Sequence, residues 1–441
     1  MTARPRLLVP VYERLDGPMS ALGSRRLEIG CAMARHCDVT FASTAATEPF
    51  DLRGVRVEPV RSDRQLRGML ESHEFLYTLS IFPKHAFHIA RSGIKVILDL
   101  YAPVAYECLE AYPEMPAALL DRIHRQKIWW TGQQMRMADV LVVTNSRQAD
   151  LWIGAANQLE ILNAQRIRTD PSLADLIIEM PLAVPPGSPE PAGSPLRLKL
   201  GLKSEDFVFL WSSKILAWQD PAVLIRAMQL LRESDPDIKV VFLGIGEPAP
   251  EGKASWLDAS ALRTREARAM ASSAGLTNKT IFFINERINY QDLGGYYRDS
   301  DAAIATYPDS LETRMCLATR LADYIWAELP IAVSGVSLQK DFVEGQGVGY
   351  CSPPGDADQL AENMRRIRRE VRSRGWDKSY FVAAKERHSL ESLTAPVAEW
   401  CRRNAGKPRR RRSGLWEAYA AVKFLLMERM FQAAMARHRP D

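Results

Sequence analysis

Four charged side chains in the second half of the chain, Lys214, Glu312, Arg320 and Asp323, stand just past apolar, strand-like runs or at the start of helical stretches. In open α/β sheets ligands bind beyond the carboxyl ends of strands, where loops meet helix N-termini, so chemistry is sought there first. Lys214 follows the run 207–211 within Ser212-Ser213-Lys214. It precedes Asp220-Pro221, an N-cap followed by proline at the first helical position. Its ammonium either neutralises a diphosphate or is a solvated surface charge. Gly244-Ile245-Gly246 follows the run 239–243 and is either a bare tight turn or a place where backbone approaches a ligand. The richest segment runs from Tyr307 to Ser334. Glu312 lies at its loop-to-helix junction, and Arg320 and Asp323, three apart on a helix, share a face. A carboxylate there can hold ribose hydroxyls while the guanidinium holds phosphates; equally, the two form an ordinary ion pair on a solvated helix.

The first half offers less. Gly17, in Asp16-Gly17-Pro18, follows the opening strand-like run and precedes a helix start at Gly23-Ser24-Arg25-Arg26. A glycine lets backbone approach a ligand and a helix N-terminus attracts phosphate, but an ordinary βα turn uses the same residues. Asp99 closes the run 95–100, beside Tyr101, and reads as a capping aspartate or as a catalytic group aimed at a ligand. Cysteines at 31, 37, 108, 316, 351 and 401 make no CxxC pair and no cluster with histidine. Reduced thiols and no metal site are expected.

The elements that must position these residues alternate in kind. Strand-like runs at 6–11, 38–42, 75–79, 95–100 and 140–144, then 207–211, 239–243, 280–284, 302–306 and 330–334, are separated by helical stretches such as 24–35. That alternation predicts βαβ units and a mostly parallel sheet. Asp356 and Gln359 have the spacing of a capping box at a further helix start. Between the two series, 181–195 carries proline at 181, 185, 186, 189, 191 and 195 and can continue neither element, so it reads as a linker. A length of 441 residues suits two domains, and 46% apolar with 25% charged residues is the balance of a globular protein. Net charge is only +5, so the body is no polycation. No apolar run approaches the roughly 20 residues that span a bilayer. The first residues lack the apolar core and cleavage site of a signal peptide, so a cytoplasmic location is expected.

The order strand, loop, Glu312, helix, Asp323, Ala327-Glu328-Leu329-Pro330-Ile331, then Glu344 to Gly349 and Pro353-Pro354-Gly355-Asp356, resembles the donor-binding half of retaining family-4-type glycosyltransferases. Gly17-Pro18, Arg25-Arg26-Leu27-Glu28, Asp99 to Pro103 and Asp170-Pro171-Ser172-Leu173 resemble a bacterial surface-polysaccharide branch of that family. The resemblance spans about residues 5 to 375. It implies a GT-B fold, an α/β architecture of two Rossmann-like domains with mostly parallel sheets facing across a cleft. It also implies an acceptor-side domain at 1–190, a nucleotide-sugar donor domain at 191–375, a helix crossing back at 376–405 and a basic amphipathic tail at 406–441. The implied activity is sugar transfer, with retention, from a nucleotide-sugar to a glycan or lipid-linked acceptor, without metal or cofactor.

On that resemblance Lys214, Glu312, Arg320 and Asp99 are the catalytic candidates. Gly17, Ser213, Gly244, Thr313, Arg314, Thr319 and Asp323 are the donor contacts. Cationic side chains would neutralise the charge that builds on the leaving diphosphate. Two departures stand out. The family usually carries two glutamates eight positions apart, whereas Asp323 stands at the second position, Met315 at the first, and Glu312 three residues before that. After the first strand of this domain the family tends to carry arginine and then lysine; Lys214 matches the first and Gln219 takes the second place. These departures leave room for a non-catalytic scaffold subunit of a polysaccharide-assembly complex. A nucleotide-sugar epimerase is a further alternative.

The tail opens with Lys407-Pro408-Arg409-Arg410-Arg411-Arg412 and continues with Trp416, Tyr419, Val422, Phe424, Leu425, Leu426, Met427, Met430 and Phe431. A basic cluster leading into an apolar helical stripe is the composition of a helix lying on an anionic membrane surface, here through 407–431. It suits equally a helix packed on the body or on a partner. Aromatics do not interleave the arginines, so nucleic acid is not expected as a partner.

Overall fold

The structure, a computed structural model, describes residues 4–15, 21–112, 115–190, 195–246, 259–286, 288 and 292–408, and in the tail 416, 418–420, 422–427 and 429. Gly17 and the arginine run 409–412 lie outside the described residues. The chain divides into two compact units. Unit 1 is Met1–Ala105, Pro116–Pro181 and Leu390–Asp441; unit 2 is Tyr106–Met115 and Leu182–Ser389.

Unit 1 is built on a sheet of β1 (Arg6–Val11), β2 (Asp38–Ser43), β3 (Phe50–Leu52), β4 (Val55–Pro59), β5 (Phe75–Thr78), β6 (Lys95–Asp99), β7 (Val140–Val143) and β8 (Ile177–Glu179). Their order across the sheet is β3-β4-β2-β1-β5-β6-β7-β8. Only β3 runs antiparallel to its neighbour. Helices cover both faces, so a central strand must be apolar on both. Leu7, Val9 and Val11 of β1 enter one buried cluster, while Leu8 enters another on the opposite face.

Unit 2 repeats the plan with β9 (Phe207–Ser212), β10 (Ile238–Leu243), β11 (Ile281–Ile284), β12 (Ala302–Thr306), β13 (Ile331–Ser334) and β14 (Gly349–Ser352). The strands run parallel in the order β11-β10-β9-β12-β13-β14. Phe207, Phe209 and Trp211 pack on one face of β9, Val208 and Leu210 on the other. Successive strands step outward from β9 in one direction and from β12 in the other. The chain order therefore reverses between these two neighbours, and the loops after them flank the place where such sheets hold ligands.

Unit 2 keeps the chain through Ser389, beyond the division anticipated at 375. The reason is packing: helix Lys378–Arg387 buries Phe381 and Ala384 in the core of unit 2. The single helix expected near 376–405 is two, because the chain breaks at His388-Ser389. The second, Leu390–Asn404, buries Val397, Ala398, Trp400 and Cys401 in unit 1. Residues Tyr106–Met115, expected in the first domain, belong to unit 2. Glu110 anchors them there by accepting from Ser310 Oγ at 2.8 Å and from the backbone amide of Glu312 at 3.0 Å.

Candidate active site at the strand-order reversal of unit 2

Both loops at the reversal are shaped by side chains that turn back on them. After β9, Gln219 is buried. Its carbonyl accepts from the Leu216 amide at 2.8 Å and its amide donates to Ser213 Oγ at 3.1 Å. Asp220 ties this loop to β12 by donating its backbone amide to Thr306 at 2.9 Å, while Thr306 Oγ1 donates to the Asp220 carbonyl. The Asp220 carboxylate then accepts from the amides of Ala222 and Val223 and starts helix Pro221–Leu231. Lys214, left on the outside of this loop, is exposed and has no ion-pair partner among the described residues.

Five polar residues are linked at Ser212, two positions before Lys214. The Ser212 amide donates to Tyr324 Oη at 3.0 Å, and Ser212 Oγ lies 3.0 Å from Tyr297 Oη. Arg320 donates to Asp323 Oδ2 at 2.9 Å and to Tyr297 Oη at 3.3 Å. Tyr297 Oη is also 3.4 Å from Asp323 Oδ2. Burial raises the pKa of the Asp323 carboxyl, against the pull of Arg320. Both bonds to Asp323 fall on Oδ2, so Oδ1 has no hydrogen-bond partner among the described residues. The Arg320–Asp323 pair anticipated on a helix face is thus braced by Tyr297, which pattern alone did not single out. Tyr297 comes from helix Leu293–Arg298, far from this pair in sequence.

The loop after β12 ends in the short helix Leu311–Met315. Ser310 and Thr313 close a capping box, and Thr313 Oγ1 also donates to the Pro308 carbonyl at 2.8 Å. Thr313 is buried and its hydroxyl is committed to this turn. Arg314 points outward in a two-bond pair with Asp309, at 2.6 and 2.9 Å. Thr319 stands at the start of helix Arg320–Trp326 without a side-chain cap. Gln339 pins the loop from behind, donating to the carbonyls of Thr313 and Cys316 at 2.9 and 3.2 Å. Nothing in its sequence context marks it.

Glu312 is the outlying group. It is 4% exposed and no basic side chain pairs with it among the described residues. Burial, and then the Glu107 and Glu110 carboxylates, push its pKa up to about 9. At neutral pH it is a carboxylic acid that can donate a hydrogen bond. The sequence could show the residue but not the two glutamates, which arrive from residues 106–115.

Gly244 ends β10 with φ of +68°, a backbone that glycine adopts without strain, and its amide donates to the Ile284 carbonyl at 2.9 Å. In unit 1, Asp99 is 1% exposed and caps no helix. Arg25 donates to it at 2.7 and 3.3 Å, and Tyr77 Oη donates to it as well. A carboxylate so enclosed is a structural counter-ion in this conformation. Among the described residues no group of three or more His, Cys, Asp or Glu side chains is placed to hold a metal ion. No helix among them is long and apolar enough to cross a membrane.

Two doubly covered, almost wholly parallel sheets define the chain as a GT-B fold, with polar side chains collected at the strand-order reversal of the second. Residues 195–374, most of unit 2, match the family model for glycosyl transferases group 1. Among solved structures the chain is similar to Anabaena HepE in complex with UDP and glucose, with 12% identity, a TM-score of 0.60, and 90% of this chain and 99% of that one covered. It is also similar to a glycosyltransferase from Rickettsia africae, at 14% identity and a TM-score of 0.58, over 92% of this chain and 99% of that one. A third is the E. coli trehalose-6-phosphate protein bound with UDP-2-fluoro glucose, at 11% identity and a TM-score of 0.59, covering 90% and 99%. No curated protein sequence matches the chain.

Proposed function

We propose that the protein is a glycosyltransferase that takes a sugar from a UDP-sugar donor and transfers it, with retention, to a glycan or lipid-linked acceptor of the bacterial surface-polysaccharide type, at the inner face of the cytoplasmic membrane. One observation carries this reading: at the reversal between β9 and β12, Lys214, exposed and without an ion-pair partner among the described residues, stands two positions after Ser212, which is hydrogen-bonded to the Tyr297 that braces the Arg320–Asp323 pair. The match of residues 195–374 to glycosyl transferases group 1, and the UDP or UDP-sugar bound in two similar structures, favour a nucleotide-sugar there.

In this reading Lys214 faces the diphosphate and stabilises the charge that grows on it as the glycosidic bond breaks. Asp323 Oδ1 accepts from ribose. Glu312, protonated, donates to a hydroxyl of the donated sugar. The leaving phosphate oxygen takes the acceptor proton on the same face, so no protein nucleophile is required. Ser213, Gly244 and Thr319 line the approach of the donor, Arg314 stays paired with Asp309, and neither metal nor cofactor is called for. A non-catalytic scaffold is the second reading, favoured by Gln219, whose neutral amide is consumed in holding its loop.

The test is a thermal-shift titration with UDP and UDP-glucose. Lys214→Ala removes a charge-assisted contact, so it should bind UDP about 10- to 100-fold more weakly. Equal shifts in wild type and variant refute the role of Lys214. UDP binding without sugar release, with any acceptor, decides for the scaffold.

A further inference from the structure

The described part of the tail is helical and is used on both sides. Its inner side docks on unit 1. Ala420 is buried, the Phe424 ring lies 5.1 Å from that of Trp130, and Trp416 Nε1 donates to Gln133 Oε1 at 2.8 Å. Lys423 Nζ sits 4.9 Å over the Trp129 ring. Positions 416, 420 and 424 are four apart, one face of a helix laid along helix Ala117–Met137.

The outer side is left bare. Tyr419, Val422, Leu425 and Leu426 are all exposed, at helical spacing, on the face away from Ala420. Exposed apolar side chains grouped in this way mark an interaction surface. Where the helix begins, Trp416 borders an open groove of about 580 Å³ together with Leu159, Ile161, Arg136 and Arg166, with Glu160 also lining it. Neither arginine has an ion-pair partner among the described residues. The segment just before Trp416 carries Arg409 to Arg412. An apolar stripe, a groove with two guanidinium groups unpaired among the described residues and a basic run that precedes the stripe in the sequence favour one occupant by charge: a surface that is apolar within and anionic at its rim.

We propose that this face of unit 1 docks on an anionic phospholipid bilayer. Tyr419, Val422, Leu425 and Leu426 enter the interface, and Arg136 and Arg166 hold a lipid phosphate in the groove beside Trp416. This deepens the functional reading above, on which the membrane location rests, by naming the surface and the lipid chemistry. Because the inner face of the helix is already seated on unit 1, docking fixes how unit 1 is presented to the bilayer; a flexible tether would not.

The test is co-sedimentation of the full chain with phosphatidylcholine vesicles, with and without phosphatidylglycerol. Wild type should sediment with the phosphatidylglycerol vesicles only, and less so as salt rises, because exposed charges are screened. Arg136→Gln with Arg166→Gln should weaken this roughly 30-fold, about fivefold for each charge removed. Val422→Asp with Leu426→Asp should abolish it. Arg136 and Arg166 are half-buried at the edge of an open groove and make no ion pair among the described residues, and Val422 and Leu426 are exposed, so melting temperature and UDP binding in solution should not change. Equal sedimentation with both vesicle types, or unaltered sedimentation of both variants, overturns the proposal. A wild type that binds UDP but no vesicle sinks this inference and leaves the donor reading standing; vesicle binding without UDP binding does the reverse.

Discussion

Replacing Glu312 by glutamine isolates what burying its carboxyl does. In the folded chain its pKa is pushed from the ordinary 4.5 up to about 9, by burial first and then by Glu107 and Glu110. Above pH 4.5 the unfolded chain releases a proton that the folded chain retains. Stability from this group is therefore complete below pH 4.5 and is lost as pH rises, being gone above about 9. Each pH unit inside that window removes about 1.4 kcal/mol. Between about pH 6 and about pH 8 the wild type thus loses about 2.7 kcal/mol through this side chain. Glutamine keeps the size and neutrality of the protonated acid and cannot ionise. Urea unfolding of unit 2, followed for both proteins across that range, should show the variant gaining on the wild type by about 2.7 kcal/mol as pH rises. His388, whose pKa is lowered by burial, titrates in both proteins and cancels in the difference. A difference that stays flat, or shrinks, refutes the reasoning.

Breaking the Arg25–Asp99 pair with Asp99→Asn should cost about 3–5 kcal/mol, since both side chains are buried, and should lower the melting of unit 1 while UDP binding is unchanged. Loss of UDP binding at full stability would instead make Asp99 a ligand contact. Phe381→Ala should destabilise unit 2 by about 3–5 kcal/mol and Trp400→Ala should do the same to unit 1. Domain-resolved unfolding checks this, and both losses falling in one transition would contradict the division at Ser389.

Most of the sheet was legible from the alternation of apolar runs with helical stretches, because buried parallel strands are continuously apolar. The run 302–306 coincides with β12, and Asp220-Pro221 starts its helix as its residue types dictate. What the pattern did not yield were β3, β4, β8 and β14, which are short or polar in alternate positions, as in Val55–Pro59. At the candidate site the local pairings were visible, such as Arg320 with Asp323. Contacts over long separations were not. Tyr297 lies 23 positions before Arg320, and Glu110 lies 202 before Glu312. Hydrophobic periodicity says where a strand is, but not which distant polar side chain comes to rest at its end.

The protonation of Glu312 bears directly on Gln219. Where the resembled family tends to carry a second basic residue, this chain has a neutral amide that holds the loop of Lys214 in shape. Arg320 is balanced by Asp323, so Lys214 is the one cation of this group without a counter-ion among the described residues. With Glu312 neutral, Lys214, Arg320, Asp323 and Glu312 together carry one positive charge; with Glu312 ionised they carry none. The Glu107 and Glu110 carboxylates count alike in both states, so ionising Glu312 weakens the attraction for a diphosphate by one charge. On the proposed reading the missing base is therefore offset by keeping a carboxyl protonated. UDP affinity should then fall in the wild type as pH climbs towards 9 and hold steady in Glu312→Gln. If affinity falls alike in both, the charge of Glu312 does not reach the donor.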